Sequence, residues 1–330
     1  MGTLVKPDLA TRGDVLLLYG ELDATDEPKL GAVISSVSYS LPLRDAISFT
    51  SAFGYSRRNL VELPTPLNGF STSQYQALGQ LEWVFRESLR QRWSVSAAFS
   101  GNRSNTYLND APLPRLLPAS VRRPSSGYLK VGLNGSGRAN RLAWSGNAFV
   151  LQGVPAATPS DQRDELSLAG IEVGSANAVG GLASAAWGLA PGWELRLMAA
   201  GQLAFNPLTS AMRFVLGADT GLRGLPGQLV SGDSGWLGSS ELAWTVWQGK
   251  QQALQLVPFI GAGGVDTELN GGLNFTDTVG SGGVLARWLS GRNWMLELGW
   301  VEPFETNNNA GVWQDWALGQ GLYAKVQFQF

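Results

Sequence analysis

Arg292-Asn-Trp-Met-Leu-Glu-Leu-Gly-Trp-Val301 alternates strictly. Trp294, Leu296, Leu298 and Trp300 fall on one face, and Glu297 and Gly299 on the other. A period of two is the repeat of an extended strand, whose successive side chains point to opposite faces. The same pattern recurs along the whole chain. Trp193, Leu195, Leu197, Leu203 and Phe205 oppose Glu194, Arg196 and Gln202, and Trp93, Val95, Ala97 and Phe99 oppose Ser94, Ser96 and Ser100. Val33, Val37, Tyr39 and Leu41 oppose Ser36, Ser38 and Ser40. Helical periodicity is missing, so the fold is all-β. Candidate strands lie near 13–22, 31–42, 46–57, 72–87, 91–102, 126–137, 139–152, 178–190, 193–206, 235–249, 252–265, 279–290, 292–303 and 319–330, about fourteen in a single domain over 1–330. Residues 164–175 are read as loop, with a short extra strand as the other option.

The connections between these strands sort by length. Tight turns at Pro42 to Asp45, Ser88 to Arg90, Gly137-Arg138, Ala190 to Gly192, Gly249 to Gln251 and Ser290 to Arg292 alternate with longer segments at 58–71, 103–125, 153–177, 206–234, 266–278 and 304–318. All tight turns at one end and all loops at the other is the meander of an antiparallel transmembrane barrel of the outer-membrane type. Tryptophan confirms which face is outward. Trp83 and Trp93 flank Ser88, Trp187 and Trp193 flank Ala190, Trp288 and Trp294 flank Ser290, and Trp247 precedes Gly249. Amphipathic rings gathered at one level form an interfacial girdle. The next aromatics, Phe99 and Trp300, stand six residues beyond Trp93 and Trp294. That is roughly 20 Å of strand, comparable to the apolar band of such barrels. A soluble all-β core would not confine tryptophan to the turn ends.

Composition narrows the chemistry. The 330 residues contain no histidine and no cysteine, 42 glycines and 13 tryptophans. Zinc sites of the Cys/His type, disulfides, cysteine nucleophiles and Ser-His-Asp triads cannot be built. Charged residues make up 15%, with 24 Lys+Arg against 26 Asp+Glu, so no basic field exists for nucleic acid. No apolar run is long enough for a membrane-spanning helix. The inward faces carry serines with Glu194, Arg196, Glu241, Arg287 and Glu297. An isolated charge facing lipid costs a few kcal/mol near the midplane, so these residues are expected in the lumen, where they solvate a channel or serve a site.

The longest loop, 206–234, contains Phe214-Val-Leu-Gly217, Leu222-Arg223-Gly224 and Gly232-Asp233-Ser-Gly235, and leads into Ser239-Ser-Glu241-Leu-Ala-Trp244. In order and spacing these resemble the two-partner secretion transporters, the haemolysin secretion/activation family, as do Gln91-Arg-Trp-Ser94, Asn102-Arg-Ser-Asn105 and Trp144-Ser-Gly146. The resemblance covers nearly the whole chain. It implies that the loop folds back into the lumen and that Arg223, at its tip, pairs with an acidic residue on the inner wall. Two departures stand out. Leu225 replaces the aromatic after Arg-Gly, and the wall motif reads Phe259-Ile-Gly261-Ala-Gly263, without its acid. Glu241 and Glu297 have the inward parity to substitute. A plain glycine-rich surface loop is the alternative. The final strand, with Tyr323, Phe328 and Phe330, resembles the C-terminal signal by which such barrels are recognised for insertion.

The family also carries a signal peptide, a plug and two periplasmic POTRA domains ahead of sixteen strands. Asp8 to Asp14 resembles the first periplasmic turn. The expectation is therefore a barrel portion of about fourteen of those strands, without the POTRA domains. The function implied is an outer-membrane pore that exports and activates a large haemolysin/haemagglutinin-like exoprotein without ATP. No nucleotide motif, metal or cofactor is expected, and the partners are the exoprotein, the barrel assembly machinery and outer-membrane lipid. A passive diffusion porin and a non-functional barrel fragment remain the alternatives. A barrel enzyme is excluded where it needs imidazole.

Overall fold

The computed structural model describes residues 2–24, 30–60, 70–217, 220–225, 230–269, 273–291, 293–306 and 321–328. The loop segments 61–69 and 307–320, the turn residue Arg292 and the terminal Phe330 lie outside them. The strands are β1 (Gly2–Pro7), β2 (Val15–Ala24), β3 (Leu30–Arg44), β4 (Ile47–Leu60), β5 (Phe70–Glu87), β6 (Gln91–Leu108) and the two-residue β7 (Ala111–Pro112). Next come β8 (Ser125–Ala139), β9 (Leu142–Gly153), β10 (Asn177–Ala190) and β11 (Trp193–Ala204). A short pair, β12 (Phe214–Leu216) and β13 (Val230–Gly232), precedes β14 (Ser234–Gln248), β15 (Gln252–Leu269), β16 (Leu273–Ser290), β17 (Trp294–Thr306) and β18 (Leu322–Phe328). Apart from β7, β12 and β13, each strand pairs antiparallel with its neighbours in chain order, from β1 to β18, in one sheet. The fold is the expected all-β antiparallel barrel, with β12 and β13 forming a separate two-stranded ribbon.

Alternation governs the wall. Along β6, Ser94, Ser96 and Ser100 are buried while Val95 and Phe99 are 36% and 42% exposed on the outer surface. Trp83, Trp187, Trp247 and Trp294 are all exposed beside the tight turns, and Trp193 stacks on Trp244 with ring centroids 5.2 Å apart. Strands of 18 residues, such as β5, β6, β15 and β16, exceed the roughly 9–11 that span a bilayer. With the exposed tryptophans at the tight-turn ends, the excess length lies on the side of the long loops.

Three local features differ from the sequence reading. Residues 2–7 form β1, paired to β2 from Pro7↔Val15 onward across the Asp8–Asp14 turn. The Asp14 carboxylate closes that turn by accepting from the amides of Leu9, Ala10 and Thr11 at 2.6, 2.9 and 2.7 Å. The turn expected at Gly137-Arg138 lies at Asn140-Arg141, with Asn140 at φ +49°. Asparagine tolerates that left-handed conformation, and Gly137 instead stays in the strand against the Trp144 indole.

The third difference lies in the outer loops. Residues 160–168, partly assigned to loop or short strand, form helix α2 (Ser160–Leu168), which packs on the single turn α1 (Ala119–Arg122). Its residues are mostly polar, so no apolar stripe announces it. Side-chain bonds to the neighbouring loop hold it instead. Buried Gln162 accepts from the Ser125 amide (2.9 Å) and donates to the Arg123 carbonyl (3.2 Å). Glu165 caps α1 by accepting from the amides of Ser120 (2.7 Å) and Ala119 (3.0 Å).

Those amides, Ser120 first, draw the Glu165 carboxyl below its ordinary value of 4.5. The cap therefore stabilises the helix pair fully above pH 4.5, and that contribution is lost as pH falls through the lowered value. Protection of the Ala119 and Ser120 amides, measured against free peptide at the same pH, is expected to fall only in that acidic range. In Glu165→Gln that acid-dependent fall should be absent.

Candidate gating site in the barrel lumen

The segment between β11 and β14 enters the lumen and packs against the wall on two sides. Its first limb buries Leu208 and Met212 against Leu151, Ala176 and Ala178. Its second buries Leu216, Leu222 and Leu225 against Leu237, Val265 and Val279. Wall glycines create the space for these leucines. A Cβ at Gly263 would lie 2.7 Å from Leu216 Cδ2, and one at Gly261 would lie 2.9 Å from Leu222 Cδ2. The motif position that carries an acid in the resembled family is therefore occupied here by a socket for an apolar side chain.

The base of the loop is tied by Asp233, which is buried beside Gly232. Its Oδ1 accepts from the Leu208 amide (3.2 Å) and from Arg213 Nε (3.1 Å). Buried Gln202 donates to the carbonyls of Met212 (2.9 Å) and Asp233 (3.0 Å), joining both limbs to the wall. Gly232 and Gly235 permit close approach, since added Cβ atoms would meet Asp266 O at 2.8 Å and Phe214 Cδ1 at 2.3 Å. Removing the carboxylate leaves the buried Leu208 amide unsatisfied and releases the partly exposed Arg213. Asp233→Ala is accordingly expected to cost about 2–3 kcal/mol and to expose the Leu208 limb to external protease.

At the tip, Arg223 meets two carboxylates. Its Nε donates to Glu241 Oε1 at 2.5 Å and its Nη1 to Glu297 Oε2 at 2.7 Å. A second arginine, Arg287, completes the ring. Its Nε donates to Glu297 Oε1 (2.7 Å) and its Nη2 to Glu241 Oε2 (3.3 Å). Each carboxylate thus gives one oxygen to each arginine, in the two-pronged geometry that suits guanidinium. The side chains of Glu297 and Arg287 are 1% and 3% exposed. Ser281 Oγ donates to the Arg223 carbonyl at 2.7 Å, so the loop backbone is held as well. Gly221 and Gly224, at φ +111° and +75°, supply the left-handed turns that bring the arginine inward.

The register explains why these wall residues converge. Glu241 lies opposite Phe259 between β14 and β15, Gly261 lies opposite Ser281 between β15 and β16, and Arg287 lies opposite Glu297 between β16 and β17. All of them face inward. Parity alone places Arg287 in the lumen and gives it no part in the loop's anchorage. Counting outward from the tight turn at 290–294 puts it opposite Glu297, a signal present in the sequence. Tyr323, which belongs to the expected insertion signal and lies on the polar face of its strand, points inward and packs against the buried cluster of Ala243, Val257, Phe259, Leu285 and Val301. Phe328 pairs with Trp294 in the ladder, and Phe330 lies outside the described residues.

Solved structures share this architecture. CdiB from Escherichia coli is similar at a TM-score of 0.73 and 15% identity, over 99% of this chain and 58% of that one. CdiB from Acinetobacter baumannii is similar at 0.68 and 16%, over 99% and 55%. BamA from Haemophilus ducreyi lacking POTRA domains 1-3 is similar at 0.59 and 13%, over 99% and 65%. The chain thus spans little more than half the length of the two CdiB chains. No curated protein sequence matches it. The model of the haemolysin secretion/activation protein ShlB/FhaC/HecB family matches residues 8–282, and this chain, an antiparallel β-barrel, belongs to that family.

Proposed function

We propose that the chain forms the outer-membrane pore of a two-partner secretion system, through which a large haemolysin/haemagglutinin-like exoprotein passes outward in extended form without ATP. The loop between β11 and β14 is the gate, and Arg223 is its catch. The observation that carries this reading is the closed ring of Arg223, Glu241, Arg287 and Glu297. A loop clamped by a buried ion-pair ring blocks the lumen at rest, yet its bonds can be exchanged without breaking a wall strand. The barrel assembly machinery inserts the chain through its last strand, and the tryptophan-girdled outer surface sits in outer-membrane lipid.

The test is export, with solute leak across the outer membrane measured beside it, in cells expressing the gene together with its exoprotein. Breaking one partner out of a buried pair costs about 3–5 kcal/mol, which shifts gate occupancy more than a hundredfold. Arg223→Ala should therefore leave the pore open, raising solute leak well above that of wild type even without exoprotein, while the barrel still reaches the outer membrane. Leak no higher in that variant than in wild type overturns the gate. Uptake of small solutes with no export at all, in wild type, marks a passive porin instead.

A further inference from the structure

Glu241, Glu297 and Arg287 belong to the barrel wall, whereas Arg223 arrives on the loop. The wall trio exists whether or not the loop is docked. Arg287 is held from both sides, by Glu297 and, more distantly, by Gln255 Oε1 at 3.5 Å. It fixes one oxygen of each carboxylate and leaves the other, Glu241 Oε1 and Glu297 Oε2, aimed at the same point. Two glutamates and one arginine carry a net −1, so the trio accepts one cation.

Neighbouring cations do not fill that point. Arg196, opposite Glu241 in the ladder, is engaged by Glu194 at 2.6 Å. Lys325 lies opposite Glu297, but an ammonium is a point charge and cannot reproduce a planar fork across two carboxylates from different strands. A cavity of about 710 Å³ opens beside Arg223, with Ser239, Glu241, Tyr323 and Lys325 along its wall, so the position is reachable from the lumen.

We propose that Glu241 and Glu297, held by Arg287, form a guanidinium-binding subsite of the translocation path. Arg223 is its resident ligand at rest. When the loop is displaced, an arginine side chain of the crossing polypeptide takes its place. Exchange of one guanidinium for another keeps the buried carboxylates neutralised throughout, which lowers the cost of opening. The part concerning a crossing chain rests on the export reading; the subsite itself does not.

The probe is guanidinium ion at millimolar concentration, compared with ammonium at equal ionic strength, on the purified chain. In Arg223→Gly the vacated subsite should bind guanidinium. The temperature of the heat-modified gel shift should then rise, because a ligand bound only to the folded state stabilises it. Guanidinium is otherwise a denaturant, so a rise is diagnostic. Adding Glu297→Gln should weaken that binding at least about thirtyfold. In the unaltered protein guanidinium competes with Arg223, and the open fraction in planar bilayers should increase, with ammonium inert.

A rise shared by ammonium, a rise that survives Glu297→Gln, or no rise at all overturns the subsite. Should Arg223→Gly fail to assemble, equal open fractions in the two ions overturn it on the unaltered protein alone. Neither readout involves cargo, so a failure here leaves the secretion test standing, and a failure of secretion leaves these readouts intact.

Discussion

Glu297→Ala is expected to free the tip of the lumen loop, at a cost of about 3–5 kcal/mol. The carboxylate is fully buried and accepts from both arginines. Without it, Arg287, 3% exposed, keeps only a 3.3 Å contact to Glu241 and a 3.5 Å contact to Gln255. A guanidinium stripped of its close partner in a dry wall is a larger penalty than a lost surface pair, which is worth about 0–1 kcal/mol. The loop should not leave entirely. Leu216, Leu222 and Leu225 stay buried against the wall, and each such side chain contributes about 1.5–3 kcal/mol. Detachment should therefore be confined to the segment around Arg223 while the β12–β13 ribbon remains. Limited proteolysis from outside intact cells, read together with single-channel open fraction, measures this directly. Unchanged cleavage and conductance would show that leucine packing alone holds the gate.

The second large effect is steric. Gly224 has φ +75°, and an added Cβ would sit 2.3 Å from Val301 Cγ1 and 2.8 Å from Val301 Cβ. A side chain there meets two separate penalties. The left-handed backbone costs about 1–2 kcal/mol for a residue with a Cβ, and the overlap with Val301 adds about 1–3 kcal/mol of overpacking. Gly224→Val should therefore destabilise the docked loop by several kcal/mol and open the pore as fully as loss of the catch. Combining Gly224→Ala with Val301→Ala largely separates the two terms, since the second change removes the 2.3 Å overlap with Cγ1 while the 2.8 Å approach of Cβ and the backbone strain stay. A full rescue by Val301→Ala would show that the left-handed turn is dispensable. Gly238→Ala, where a Cβ meets nothing within 4 Å, serves as the neutral comparison.

The two effects act on one element by different physics, and their salt dependence should differ accordingly. The pair Arg223–Glu297 is largely dry, so added salt screens it little. The exposed pair Arg57–Asp110, at 45% and 80% side-chain exposure, should lose its small contribution under the same conditions.

Much of this molecule is legible one strand at a time. Alternation such as Trp294, Leu296, Leu298 and Trp300 against Glu297 determines which face meets lipid, because the two-residue period is a property of the extended backbone itself. Short against long connections determine which end is which. The same parity puts Glu241, Arg287 and Glu297 in the lumen. A helix such as α2 escaped that reading because it has no apolar stripe. It is stabilised by Gln162 and Glu165 reaching backbone groups on a different loop, and no local pattern records those partners.

What the sequence by itself determined, then, is the barrel, its outward face, and an arginine on a glycine-hinged loop needing an acidic partner. Only the tertiary structure decided which partner. Gly261 and Gly263 leave sockets that seat Leu222 and Leu216, and that seating places the next residue, Arg223, between β14 and β17 rather than over β15. The pairing depends on four strands brought side by side and on the volume missing at two glycines. Neither quantity is a property of any single stretch of chain.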